Sequence, residues 1–212
     1  MFDLHPHKFR TKTIEASQVV ELYQSGRRDF SQVNLTQVFL EDVNLIDIKL
    51  WGANLAEINL SHSNLQKANL NQSNLFGATL WRTDLSFASL IETRCSRALL
   101  IRANFQQANL SKALFQDADL RLACLREAYL RDADLTGANL SYADLSFADL
   151  TGANLSRTIL TGAKLGCANL TNTNIKRAII EGTDLSTAIL PYITRKKTST
   201  ISDRKTVSGT VR

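Results

Sequence analysis

The sequence is poor in the residues from which most catalytic and metal sites are built. Among 212 residues there are three histidines and three cysteines. They are scattered as His5, His7, His62, Cys95, Cys124 and Cys167. No histidine lies near a cysteine in sequence, so no Cys/His nucleophile pair is suggested. The spacing matches no zinc pattern. His5-Pro6-His7 offers two ligands, a weak site suited to adventitious metal. Three reduced thiols fit a cytosolic protein. No apolar run approaches the roughly 18 residues of a membrane span. Met1 to Lys12 lacks the apolar core of a signal peptide, so the expected location is cytoplasmic.

Phosphate loops and acid pairs are missing too. Residues 161–166, TGAKLG, lack the Gly-x-x-x-x-Gly-Lys-Ser/Thr order of a nucleotide-binding loop. Carboxylates are common, but they recur every five or ten residues as part of a wider pattern. No catalytic residue, cofactor, metal or small-molecule substrate is expected, and the chain reads as non-enzymatic.

What is present is a repeat. Residues 131–155 read RDADL TGANL SYADL SFADL TGANL. Extended both ways, the phrase puts Leu, Ile, Phe or Cys at every fifth position from Phe30 to Leu190, 33 repeats without a gap. Five suits neither ordinary element. On a helix, successive leucines step round by about 140° and smear over the surface. On a strand, an odd period sends Leu135, Leu140 and Leu145 to alternating faces. A strict repeat that fits neither predicts a solenoid, in which each short unit bends the chain and returns its Leu to one axis.

Through most of the chain the residue two places before each Leu is nearly always Ala and otherwise Ser or Thr. Beside a Leu-lined axis there is room only for a methyl or hydroxymethyl group, so both positions should point inward. The residue just before the Leu is mostly Asn or Asp, types that bond nearby backbone and tolerate turns, and each pentapeptide is expected to carry its own corner. Fixing five residues costs roughly 5–10 kcal/mol of backbone entropy, against about 1.5–3 kcal/mol from one buried Leu. Stability must therefore come from stacking, and the two open ends need caps.

This A-(D/N)-L-x-x array resembles the pentapeptide-repeat family. The resemblance implies an all-β solenoid, a right-handed quadrilateral β-helix with four repeats per coil. On that count the chain makes about eight coils, a rod about 40 Å long at ~4.8 Å per coil. Three segments are expected: 1–29 with a capping helix, the β-helix over 30–190, and a basic, disordered tail over 191–212. Ser17 reads as the helix N-cap and Gly26 as its stop, with Val19, Leu22 and Tyr23 on one side. A helix docking into a partner's groove is the alternative.

Departures from the pattern predict local packing. Val33, Val38, Val43, Ile48 and Ile58 stand where Ala stands later, so the first coil should be wider or less regular. On a 20-residue coil Cys95 lies beneath Phe115, a small residue beside a large one, and reads as a packed core thiol. Cys124 and Cys167 fall two coils apart, roughly 10 Å, too far for a disulfide. Glu92, Lys112 and Asp132 should stack, as should Arg97 and Asp117.

The functional reading is a non-catalytic protein-interaction scaffold of regulatory type, binding an unidentified protein or a second copy of itself. The candidate surface is the face with axial residues Leu80, Leu100, Leu120 and Leu140. Sorting places Phe39, Trp81, Leu99, Ile101, Leu122, Tyr142, Ile159 and Ile179 there, with Arg82, Arg102 and Arg121 beside the middle. Two alternatives remain. The best-known branch of the family resembles DNA in shape and charge and binds type II topoisomerases, but residues 31–190 carry a net charge of only −1. The tail carries +5, with a cluster of Arg195, Lys196, Lys197, Arg204 and Lys205, which could meet nucleic acid or an anionic membrane.

Overall fold

The computed structural model describes residues 14–190. The calls on His5 and His7 and on the tail cluster Arg195, Lys196, Lys197, Arg204 and Lys205 lie outside them. One helix, α1 (Ala16–Gln24), precedes the repeats. Beyond it, parallel bridges join each residue before an axial position to its counterpart 20 residues on, from Asp29↔Lys49 to Asn169↔Ile189. Four repeats thus make one turn of the solenoid. Strand character is confined to a single bridge residue per face per turn, because five residues leave no more than three between successive corners.

The repeat at residues 84–88 shows why the unit is stable in a stack. Asp84 N–H donates to the Ser63 carbonyl one turn back (2.9 Å), and Leu85 N–H to Asn104 one turn on (2.7 Å). Ser86 N–H donates to Asp84 Oδ1 (2.9 Å). Phe87 N–H reaches Gln106 (2.9 Å), and Ala88 N–H closes the corner on Leu85 (3.1 Å). All five N–H groups are satisfied, three of them between turns, so the isolated repeat loses most of its bonds.

The corner is a four-residue turn with positive φ at its third residue, the geometry of a type II turn. From Gln32 to Gly182 this position is left-handed in every repeat, and 25 of these residues carry side chains. The Asn and Asp that precede the axial residues do not form the corner themselves, as their turn preference suggested. They are the bridge residues, and their side chains accept the first corner N–H, as Asn104 Oδ1 does from Gln106 (3.1 Å).

The axial residues are buried from Phe30 to Leu170, with the small residues alongside. Hydroxyls at the small position donate to the axial carbonyl 23 residues back, as Thr83 Oγ1 does to Leu60 (2.8 Å) and Thr93 Oγ1 to Leu70 (2.8 Å). At the far end Ile180 and Leu190 are 44% and 52% exposed.

At the near end Val19 of α1 is fully buried and joins the core cluster with Ile14 and Phe30. Leu22 and Tyr23 pack against that cluster, and the Tyr23 hydroxyl donates to the Ile46 carbonyl (2.7 Å). The helix begins earlier than its serine suggested: Glu15 is the N-cap and forms a capping box with Gln18, leaving Ser17 inside. Gln18 Oε1 accepts from the Glu15 N–H (3.2 Å), so the helix start is held from inside the first turn and not by Ser17. Val33, Ile48 and Ile58 are buried without disturbing the 20-residue register of the bridges. The bulk at these positions therefore leaves no irregularity in the bridge pattern.

Candidate interaction face

Corners divide the rod into four faces. The one with axial residues Leu40, Leu60, Leu80, Leu100, Leu120, Leu140, Leu160 and Ile180 is called the Leu100 face here. Its bridge column runs Phe39, Asn59, Thr79, Leu99, Asp119, Asn139, Ile159, Ile179. Four of these eight positions are apolar where the repeat supplies Asn or Asp, more than on any other face. An apolar residue there cannot cap the corner that follows. The corners at Glu41, Ile101, Thr161 and Glu181 thus forgo the bond that Asn104 or Asp84 provides, worth about 0.5–1.5 kcal/mol each.

The apolar residues do not form one continuous stripe. Phe39, 73% exposed, is separated from Leu99 by Asn59 and Thr79. Ile159 and Ile179 are neighbours near the far end. The middle group is Trp81, Leu99, Ile101, Leu122 and Tyr142. Trp81 and Ile101 occupy the same corner position one turn apart, and the backbone fixes the register: Arg82 N–H donates to the Ile101 carbonyl (3.1 Å). Leu122 and Tyr142 continue the adjacent column above Arg82 and Arg102, with Tyr142 N–H bonded to Thr161 (2.9 Å). The Tyr142 ring rests over Gly162, where an added Cβ would come within 2.6 Å of it.

The three arginines differ in state. Arg121 is held by Asp119, with Nη2 2.7 Å from Oδ2 and Nε 2.8 Å from Oδ1, so its charge is locally answered. The Arg82 guanidinium lies 4.8 Å from the Trp81 ring centroid, while His62 meets that indole edge to face at 4.7 Å. Arg102 stacks beside Arg82 in the same column. Neither has a carboxylate within ion-pair distance among the described residues.

Other expected neighbours are sorted the same way. Lys112 Nζ lies 3.8 Å from Glu92 Oε1. Arg97 turns towards Phe76, 5.9 Å from the ring centroid, and forms no ion pair with Asp117 among the described residues. Cys124 and Cys167 are free thiols, as is the buried Cys95, whose pKa is pushed up by desolvation.

The rod is not uniformly convex. A shallow groove of about 490 Å³ lies over Asn74, Phe76, Arg94, Ser96, Leu114 and Gln116, because Ser96 is small between its larger column neighbours. A second cleft, about 410 Å³, separates α1 from the first turn and includes Tyr23, Arg28 and Asp42. Neither joins a histidine or cysteine to a carboxylate. No cluster of His, Cys, Asp or Glu able to hold a metal occurs among the described residues.

Sequence and geometry together define a solenoid of pentapeptides. The family model for pentapeptide repeats matches eight copies, over residues 44–82, 82–117, 118–157 and 153–190, and the chain belongs to this family. Among solved structures it is similar to HetL, a pentapeptide repeat protein involved in heterocyst differentiation regulation in the cyanobacterium Nostoc sp. strain PCC 7120. The identity is 27% over 84% of this chain and 98% of HetL, with a TM-score of 0.42. It is also similar to a trypsin-treated form of QnrB1, a plasmid-mediated fluoroquinolone resistance protein, at 14% identity over 74% of this chain and 90% of QnrB1, with a TM-score of 0.46. Among curated proteins no match is found. The family assignment rests on the repeat match.

Proposed function

We propose that the protein is a non-catalytic scaffold of regulatory type that binds a partner protein through the Leu100 face. In this reading the repeats form a right-handed rod of about eight coils at ~4.8 Å each, and α1 closes its first turn. One observation carries the reading: this face places apolar residues at half of its corner-capping positions, and three of the four, Phe39, Leu99 and Ile179, are exposed. Stability alone favours Asn or Asp there, so the replacement is explained by use of the surface. Trp81 with flanking arginines matches the composition of binding hot spots.

The test compares partner capture from native extract by the wild type and by Trp81→Ala/Ile101→Glu, with Trp51→Ala, on another face, as control. A partner that requires this face is lost with the double variant, by more than about 2 kcal/mol in affinity, and retained by the control. Undiminished capture by a folded double variant moves the interface elsewhere.

A further inference from the structure

The charge pattern on this face specifies the chemistry of its partner. In a stacked solenoid, like charges one turn apart sit about 5 Å from each other and repel. The corner columns mostly avoid this: Gln37 donates to Glu57 (2.8 Å), Gln72 to Glu92 (3.1 Å) and Gln107 to Glu127 (2.6 Å). Two places break the rule. Arg82 stacks with Arg102, and Arg157 stacks with Arg177, the latter in register through Asn154↔Asn174 and Ile159↔Ile179. All four arginines are exposed, and none has an ion-pair partner among the described residues.

Both stacks border the Leu100 face. Arg82 and Arg102 adjoin Trp81 and Ile101 at one corner, and Arg157 and Arg177 adjoin Ile159 and Ile179 at the other. From Phe76 to Gly182 this face and its two corners hold seven Lys/Arg against three acids, a net +4. The whole of residues 76–182 carries +2, so the other faces of the same stretch carry −2. The repulsion is thus confined to the same surface that forgoes its corner caps, and each stack is paired with an apolar neighbour.

We propose that the Leu100 face binds an acidic polypeptide segment whose carboxylates meet the Arg82/Arg102 and Arg157/Arg177 stacks while its apolar side chains lie on Trp81, Ile101, Ile159 and Ile179. The proposal rests on the interaction reading above and names the partner's class. The midpoints of the two stacks lie about 18 Å apart along the rod at ~4.8 Å per turn, a distance spanned by about twelve helical residues or about six extended ones. Nucleic acid fits less well. Trp81 is already engaged by Arg82 and His62, which leaves it poorly placed to stack a base, and the other residues that would meet the partner's side chains, Ile101, Ile159 and Ile179, are aliphatic.

The experiment uses the full chain with Trp51→Phe, so that Trp81 is the sole tryptophan and its fluorescence reports on the face. The probes are a peptide alternating Glu and Leu, a peptide alternating Lys and Leu, and oligothymidylate. The Glu peptide binds, the Lys peptide does not, and oligothymidylate binds more weakly. Arg82→Glu/Arg102→Glu and Arg157→Glu/Arg177→Glu each weaken the Glu peptide at least about tenfold, and Lys67→Glu on another face leaves it unchanged. Arg82→Glu alone raises the thermal transition, since it turns a like-charge stack into an opposite pair, while weakening binding. No binding of the Glu peptide, equal binding of the Lys peptide, tighter binding of oligothymidylate, or a lowered transition in Arg82→Glu overturns the proposal. So does self-association of the chain that excludes the Glu peptide, since the occupant is then a second copy. If partner capture is lost with Trp81→Ala/Ile101→Glu but survives the arginine reversals, the face stands and its acidic occupant is refuted. If both sets of variants capture normally, the face itself is refuted.

Discussion

Cys95 and Phe115 occupy the same axial column one turn apart, tied by the Cys95 N–H bond to the Leu114 carbonyl (2.7 Å), and both are fully buried. Phe115 in turn meets Phe105 edge to face, with ring centroids 6.3 Å apart. Here volume is shared along the axis: the thiol is small where its neighbour is large. Cys95→Leu should overpack by about 1–3 kcal/mol in the wild type and be tolerated beside Phe115→Leu. Chemical unfolding of the double-mutant cycle measures the coupling, and additive effects would contradict shared volume.

The small-residue column contains one unsatisfied hydroxyl. Ser73 Oγ is buried without a hydrogen-bond partner, whereas Ser63 Oγ donates to the Leu40 carbonyl (2.8 Å). Ser73→Ala should therefore stabilise the fold by about 1 kcal/mol, and Ser63→Ala should destabilise it by about 0.5–1.5 kcal/mol. The two midpoints in denaturant should move in opposite directions.

Restoring the repeat consensus on the Leu100 face gives a test that separates stability from binding. Leu99→Asn supplies the missing acceptor for Ile101 N–H, as Asn104 does for Gln106. The thermal transition should rise, by about 0.5–1.5 kcal/mol in stability, while partner capture weakens. A variant that loses stability would show that Leu99 serves the fold.

Acid should loosen the rod through its capping aspartates. Burial raises the pKa of Asp84, Asp134 and Asp144, but hydrogen bonds from side chains and from the first corner N–H outweigh it and hold each below 3.8. With the folded pKa depressed, the stabilisation is fully present above the unfolded value. It begins to fade below about pH 5 and is lost as pH falls through the folded pKa. Asp134→Asn keeps an oxygen acceptor for Thr136 and removes the titration, so its melting temperature should decline less on acidification than the wild type's. Parallel declines would place the acid sensitivity elsewhere.

Much of the architecture is legible in one dimension. A period of five that suits neither helix nor strand requires a bent, stacked unit, and the strict Leu and Ala columns identify the core before any coordinate is known. Given four repeats per turn, the Cys95 and Phe115 pairing and the membership of the Leu100 face follow by counting.

What tertiary structure alone decided are the relations between turns and the direction each polar side chain takes, because the period itself does not say how many repeats close a turn or where each side chain turns. It made Asn and Asp bridge residues whose side chains cap the corner, and it sent the Thr83 hydroxyl to Leu60. It tied Arg121 to Asp119 and turned Arg97 towards Phe76. Sequence determines which residues point inward, since that depends on position within the repeat. Packing between turns determines which exposed charges are answered and which, as with Arg82 and Arg102, are not.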